Sequence, residues 1–86
     1  MGSKLLKFPT DYPLKVVGRA DETLRERADA IIKKHAPEFD LAKATERRSA
    51  NGNFLSISYT IHAQSREQVT ALAAELSSCE AVLLVI

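Results

Sequence analysis

Phe54-Leu55-Ser56-Ile57-Ser58-Tyr59-Thr60-Ile61-His62 is the stretch whose reading decides the fold. Leu55, Ile57, Tyr59 and Ile61 alternate with Ser56, Ser58, Thr60 and His62, the period of a strand with one buried face and one wet face. Just upstream, Asn51-Gly52 signals a hairpin turn. Before it, Leu41 to Ser49 reads as an edge strand whose Lys43, Glu46, Arg47 and Arg48 discourage pairing with other chains. Downstream, Ser65-Arg66-Glu67-Gln68 has the spacing of a capping box, and Val69, Leu72, Ala73 and Leu76 supply the apolar stripe of a helix running to Ser77. Ala81 to Ile86 is apolar at every position, which reads as a closing strand.

Toward the N-terminus, Leu14-Lys15-Val16-Val17-Gly18-Arg19 predicts a short strand with Leu14, Val16 and Gly18 on one face and Lys15, Val17 and Arg19 on the other. Asp21 is placed to cap a helix, and Leu24, Ala28, Ile31, Ile32 and His35 share one stripe, so a helix is expected over 22–35, stopped by Ala36-Pro37. Its charges follow the helix dipole, with Asp21 and Glu22 at the start and Lys33 and Lys34 at the end, and Asp29 with Lys33 forms a favourable pair four residues apart. Residues 1–11 are expected to form an extended leader, because Phe8-Pro9 and the following Tyr12-Pro13 keep the backbone out of the helical region. Residues 12–86 then make a single domain.

The element order is strand, helix, strand, hairpin turn, strand, helix, strand. This is the α+β pattern of a ferredoxin-like βαββαβ two-layer sandwich. Right-handed crossovers give an antiparallel sheet of order 4-1-3-2 with two helices on one face. The other face stays open and presents Ser56, Ser58, Thr60 and His62 beside Lys15, Val17 and Arg19. The fourth strand lies at the sheet edge although both its faces are apolar, so Leu83 and Val85 mark an interaction edge. The leader residues Leu5, Leu6 and Phe8, or a second copy of the chain, would cover it.

Composition narrows the function. The chain has 86 residues, enough for one core. Twelve Lys plus Arg stand against eleven Asp plus Glu, a net charge of +1, so nucleic acid is not an expected partner. No apolar run approaches the ~20 residues of a membrane span. No export signal is read, and the single Cys79 rules out a disulfide framework, so a cytoplasmic location is expected.

Catalysis is not expected either. The topology puts Cys79 at one end and His35, His62 and Ile86 at the other, and Ser58 lies ~13 Å along the strand from His62, so neither nucleophile pair can form. His35 and His62 with Asp11, Glu38 and Asp40 lack the spacing of a metal site, and Cys79 lacks a second cysteine. No metal or cofactor is therefore anticipated. RNA recognition motifs share the topology but stack bases on aromatic residues where this chain has Val17, Ser56 and Ser58.

Two readings remain. In the first, the chain is a non-enzymatic regulatory or protein-interaction module that works through its sheet surface or apolar edge, as a homodimer or bound to a metabolic enzyme. In the second, it senses a small anionic metabolite at the first strand-to-helix turn, where Gly18, Arg19 and Asp21 lie and where the guanidinium and the helix N-terminus would hold the anion.

Several blocks point to a family: Leu5-Leu6-Lys7-Phe8-Pro9-Thr10, Tyr12-Pro13 with Lys15-Val16-Val17-Gly18, His35-Ala36-Pro37, Gly52-Asn53-Phe54 leading into Ser56-Ile57-Ser58, and Glu67-Gln68-Val69. Together they resemble the YbeD-like proteins, small bacterial proteins of unknown function, over nearly the whole chain. The resemblance implies a ferredoxin-like domain similar to the ACT-type regulatory modules of amino-acid metabolic enzymes, and some members are called lipoate regulators. ACT modules bind small ligands near the first strand-to-helix turn, usually with Pro-Gly there. This chain has Gly18-Arg19-Ala20-Asp21 at that place.

Overall fold

The computed structural model describes residues 7–86. Its elements are β1 (Thr10–Arg19), α1 (Glu22–His35), a 3-10 turn (Leu41–Lys43), β2 (Thr45–Arg48), β3 (Phe54–Ala63), α2 (Arg66–Ser78) and β4 (Val82–Val85). The sheet order is β2-β3-β1-β4 with antiparallel neighbours, which is the expected ferredoxin-like arrangement.

The alternation in β3 does what its spacing predicts. Leu55, Ile57, Tyr59 and Ile61 are buried against the helices, together with Leu14 and Val16 of β1. From α1 come Leu24, Ala28 and Ile32, and from α2 Leu72 and Leu76. Asp21 caps α1, its carboxylate accepting from the Thr23 amide at 2.7 Å and the Thr23 hydroxyl at 2.9 Å. These bonds hold the Asp21 carboxyl below its ordinary value. Ser65 caps α2 by accepting from the Gln68 amide at 3.1 Å. The reciprocal half of the box is shifted by one residue, because Gln68 Oε1 takes the amide of Gln64. The Gln68 amide nitrogen also reaches across to the His35 carbonyl and ties the start of α2 to the end of α1.

Four expectations are corrected. First, β1 is ten residues long and begins at Thr10, so Thr10 and Asp11 pair with Ala63 and His62 rather than belonging to the leader. Of the leader's apolar residues Phe8 is half-buried against the core, and Leu5 and Leu6 lie outside the described residues.

Second, Leu41 to Ser49 is not one strand. Asp40 accepts from the Ala42 amide and starts the 3-10 turn, and only Thr45–Arg48 joins the sheet, as an exposed edge. Third, Asp29 pairs with Arg25 instead of Lys33. Arg25 Nε meets both Asp29 oxygens at 2.7 and 2.8 Å, and its remaining nitrogens reach Glu46 at 2.6 Å and the Leu41 carbonyl at 2.9 Å. One guanidinium thereby fastens the 3-10 turn and β2 to α1. Lys33 instead donates to the Pro37 and Phe39 carbonyls just beyond the helix.

Fourth, Ile86 does not reach the end of the sheet where the histidines lie. It exchanges two backbone hydrogen bonds with Lys15, midway along β1. The Lys15 amide thus points toward β4, and by strand alternation so does the backbone of Pro13 and Asp11. The stretch of β1 before Lys15 outruns its neighbour, and Pro13 stands on that unpaired side, where its missing N–H leaves no ladder bond unmade.

Candidate functional site

The open sheet face is built by register. Arg47, Ser56, Val17 and Leu84 lie side by side across the four strands. Next to them run Thr45, Ser58, Lys15 and Ile86, and Arg19 is paired with Phe54. Apart from Phe54 at its end, the β2 and β3 side of this face is polar, with Thr45, Arg47, Ser56 and Ser58, whereas the β4 side is apolar.

A register shift on β4 sharpens the contrast. Val17 pairs with Leu84 but the adjacent Gly18 pairs with Val82, so Leu83 is an inserted residue. Val82 is buried and Val85, opposite Val16, is half-buried against the core. Leu83, Leu84 and Ile86 are 55%, 52% and 69% exposed. Of the two residues expected to mark the edge, Leu83 is therefore presented to solvent and Val85 is turned inward. Leu84 and Ile86 belong to the patch and were not singled out from sequence, because a uniformly apolar run carries no alternation to reveal a bulge.

Charge is sorted between the faces. Lys15, Arg19 and Arg47 are exposed on the open face, and none of them forms an ion pair among the described residues. Of the eleven acidic residues of the chain, the strands contain Asp11 and Glu46. Glu46 pairs with Ile57 and so stands on the helix side, while Asp11 is on the open face but at its far end, beside His62, 3.1 Å away.

At the first strand-to-helix turn, Gly18 is buried, Arg19 is exposed and Asp21 is engaged by Thr23. Among the described residues Gly52 alone has a positive φ, 79°. Gly18 is needed for space instead: a Cβ there would meet the Ala81 carbonyl oxygen, and both Leu24 methyls at 2.9 Å.

A cleft of about 570 Å³ opens at the other end, between the loop after α1 and the end of β3. Asp11, Glu38, Asp40, Lys43, His62 and Gln68 are among its walls. His35 is engaged outside it, with Nε2 2.7 Å from Glu75 Oε1. That contact and Lys34 hold the Glu75 carboxyl below its ordinary value. No group of three His, Cys, Asp or Glu residues is arranged to hold a metal among the described residues. Both histidines thus meet carboxylates rather than a serine or cysteine, an arrangement that supplies no activated nucleophile.

The fold defines a class, the two-layer α+β domain to which ACT domains belong. The structure is similar to the ACT domain from GTP pyrophosphokinase of Chlorobium tepidum, with a TM-score of 0.61 and 18% identity over 90% of this chain and 97% of that one. It is also similar to the C-terminal domain of the MgtC protein from Mycobacterium tuberculosis, with a TM-score of 0.66 and 16% identity over 95% and 89%.

The chain belongs to the family described as protein of unknown function DUF493, whose model matches residues 3–86. It is 41% identical over 81 residues to a UPF0250 protein of Hahella chejuensis, covering 94% of this chain and 89% of that protein. A UPF0250 protein of Ectopseudomonas mendocina is 38% identical over 82 residues, with coverages of 94% and 89%. The YbeD-like resemblance in the sequence is thereby established as membership. No helix among the described residues is long and apolar enough to cross a membrane.

Proposed function

We propose that the chain is a non-catalytic regulatory or protein-interaction module of bacterial metabolism that meets its partner, a metabolic enzyme or a second copy of itself, through the open sheet face beside β4. One observation carries this reading: Leu83, Leu84 and Ile86 are more than half exposed on an otherwise tightly packed small domain. Contiguous apolar surface of this kind marks contact sites. Leu84→Glu tests it, because the side chain is exposed and the substitution should leave the thermal midpoint within a few degrees. Affinity capture from the native cell, with light scattering of the purified chain, is expected to show a partner or a dimer with the native sequence that Leu84→Glu loses. A monodisperse monomer whose captured proteins are the same for both sequences rules the reading out.

A second reading places a small anionic ligand at Gly18, Arg19 and Asp21. The Arg19 guanidinium, which has no ion pair among the described residues, favours it, and the Asp21 carboxylate, which already occupies the start of α1, opposes it. It predicts that pyrophosphate or a small dicarboxylate raises the thermal midpoint and that Arg19→Ala erases the rise. A midpoint that no anion moves ends this reading.

A further inference from the structure

We propose that the open sheet face receives an amphipathic acidic helix of another protein, with the helix's apolar stripe on Val17, Leu84 and Ile86 and its carboxylates at Lys15, Arg19 and Arg47. This rests on the interaction-module reading and specifies the chemistry of the partner.

Charge complementarity is the first ground. Three exposed cations without ion pairs among the described residues flank an apolar strip, while the acidic residues lie almost entirely in the helices, the loops and the helix side of β2. A surface of one sign beside an apolar strip selects a partner that carries the opposite sign beside its own. The shape of the edge is the second ground. β4 has four residues and an inserted Leu83, and a short bulged edge is a poor template for an added strand. The occupant therefore lies on the face instead of extending the sheet. Helices already fill that role on the opposite face.

Other occupants fit less well. A two-fold dimer that stacks the open faces would oppose two faces of like sign, each carrying Lys15, Arg19 and Arg47. Nucleic acid would find Val17, Ser56 and Ser58 where base stacking needs aromatic rings.

The probe is a fluorescein-labelled peptide of about eighteen residues, long enough for about five helical turns, with Leu along one helical stripe and Glu elsewhere. Its control carries Lys for every Glu. Both are titrated with the full chain and read by fluorescence anisotropy. Three exposed ion pairs together amount to roughly tenfold in affinity. The Glu peptide is expected to bind about tenfold more tightly than the Lys peptide. That preference should reverse in the triple variant Lys15→Glu, Arg19→Glu, Arg47→Glu, disappear in a Gln version of the same triple, and shrink as salt is raised. All three side chains are exposed, so circular dichroism is expected to show both variants folded.

Equal affinity for the two peptides, or binding of neither, overturns the proposal. So does a preference for phosphatidylglycerol vesicles or oligouridylate over the Glu peptide, or a dimer in light scattering that the peptide does not displace. If the peptides show no preference while a captured partner is still lost on Leu84→Glu, the acidic helix is refuted and the module reading stands. If both tests fail, the module reading falls with it.

Discussion

Gly18→Ala is expected to lower stability by about 2–3 kcal/mol, at the upper end of the range for overpacking a filled site. The added Cβ has no free space, since it meets the carbonyl oxygen of Ala81 and both Leu24 methyls at 2.9 Å. Leu24 is wholly buried, and Ala81 leads directly into β4, whose first residue pairs with Gly18 itself. Relief therefore requires either a strained Leu24 rotamer or the lifting of β4 from β1. A chain of this length has roughly 4–13 kcal/mol to lose, and each kcal/mol moves the midpoint by about 4–8 °C. Calorimetry should show a fall of roughly 10–20 °C, and Gly18→Val a larger one. An unchanged midpoint for Gly18→Ala would mean that β4 yields without cost, which contradicts the packing described.

Asp29→Ala should cost a similar amount, about 2–3 kcal/mol, because it leaves two donors without their acceptor. The Tyr59 hydroxyl donates to Asp29 Oδ1 at 2.6 Å, and Arg25 Nε chelates both oxygens. Tyr59 is 1% exposed and packs edge-on against Phe39, with ring centroids 5.7 Å apart, so its hydroxyl has no ready route to water. Tyr59→Phe is milder, about 1 kcal/mol, since Asp29 keeps Arg25.

The same phenol sets a pH dependence. Burial, and then the neighbouring Asp29 carboxylate, push Tyr59 far above the ordinary tyrosine range. The folded chain thus retains a proton that the unfolded chain releases near pH 10. Fewer protons bound in the unfolded state means that stability falls as pH rises. The contribution is complete below about pH 10 and drains away above it. Urea unfolding at pH 8 and pH 11 should show this loss, and Tyr59→Phe should flatten it. A slope that Tyr59→Phe leaves intact would assign the alkaline loss to other groups.

Much of the architecture was legible because local signals agreed with one another. In β3 alternation, a preceding turn and a following cap all point to the same strand, and in α1 the Asp21 cap, the Leu24–Ala28–Ile32 stripe and Pro37 agree on both ends. The misreadings share a cause, in that a distant residue decides them. β2 is shortened by the Asp40 turn and held by Arg25 from α1, twenty-one positions before Glu46. The start of β1 is hidden by Pro13, which suits a strand only because the neighbouring strand stops short of it. On the candidate face, Lys15, Val17 and Arg19 followed from strand period alone. The pairing of Leu84 with Val17 did not, because it depends on one inserted residue in a run without polar punctuation.

The mismatch in length between β1 and β4 also bears on stoichiometry. Each margin of the sheet is closed to propagation by a different device: Arg47 and Arg48 on β2, the inserted Leu83 on β4, and Pro13 along the stretch of β1 that β4 leaves uncovered. Identical chains therefore have no ladder along which to add without limit. A partner seated on the face saturates it, and complexes of this domain should stop at one occupant per chain even when either component is in large excess.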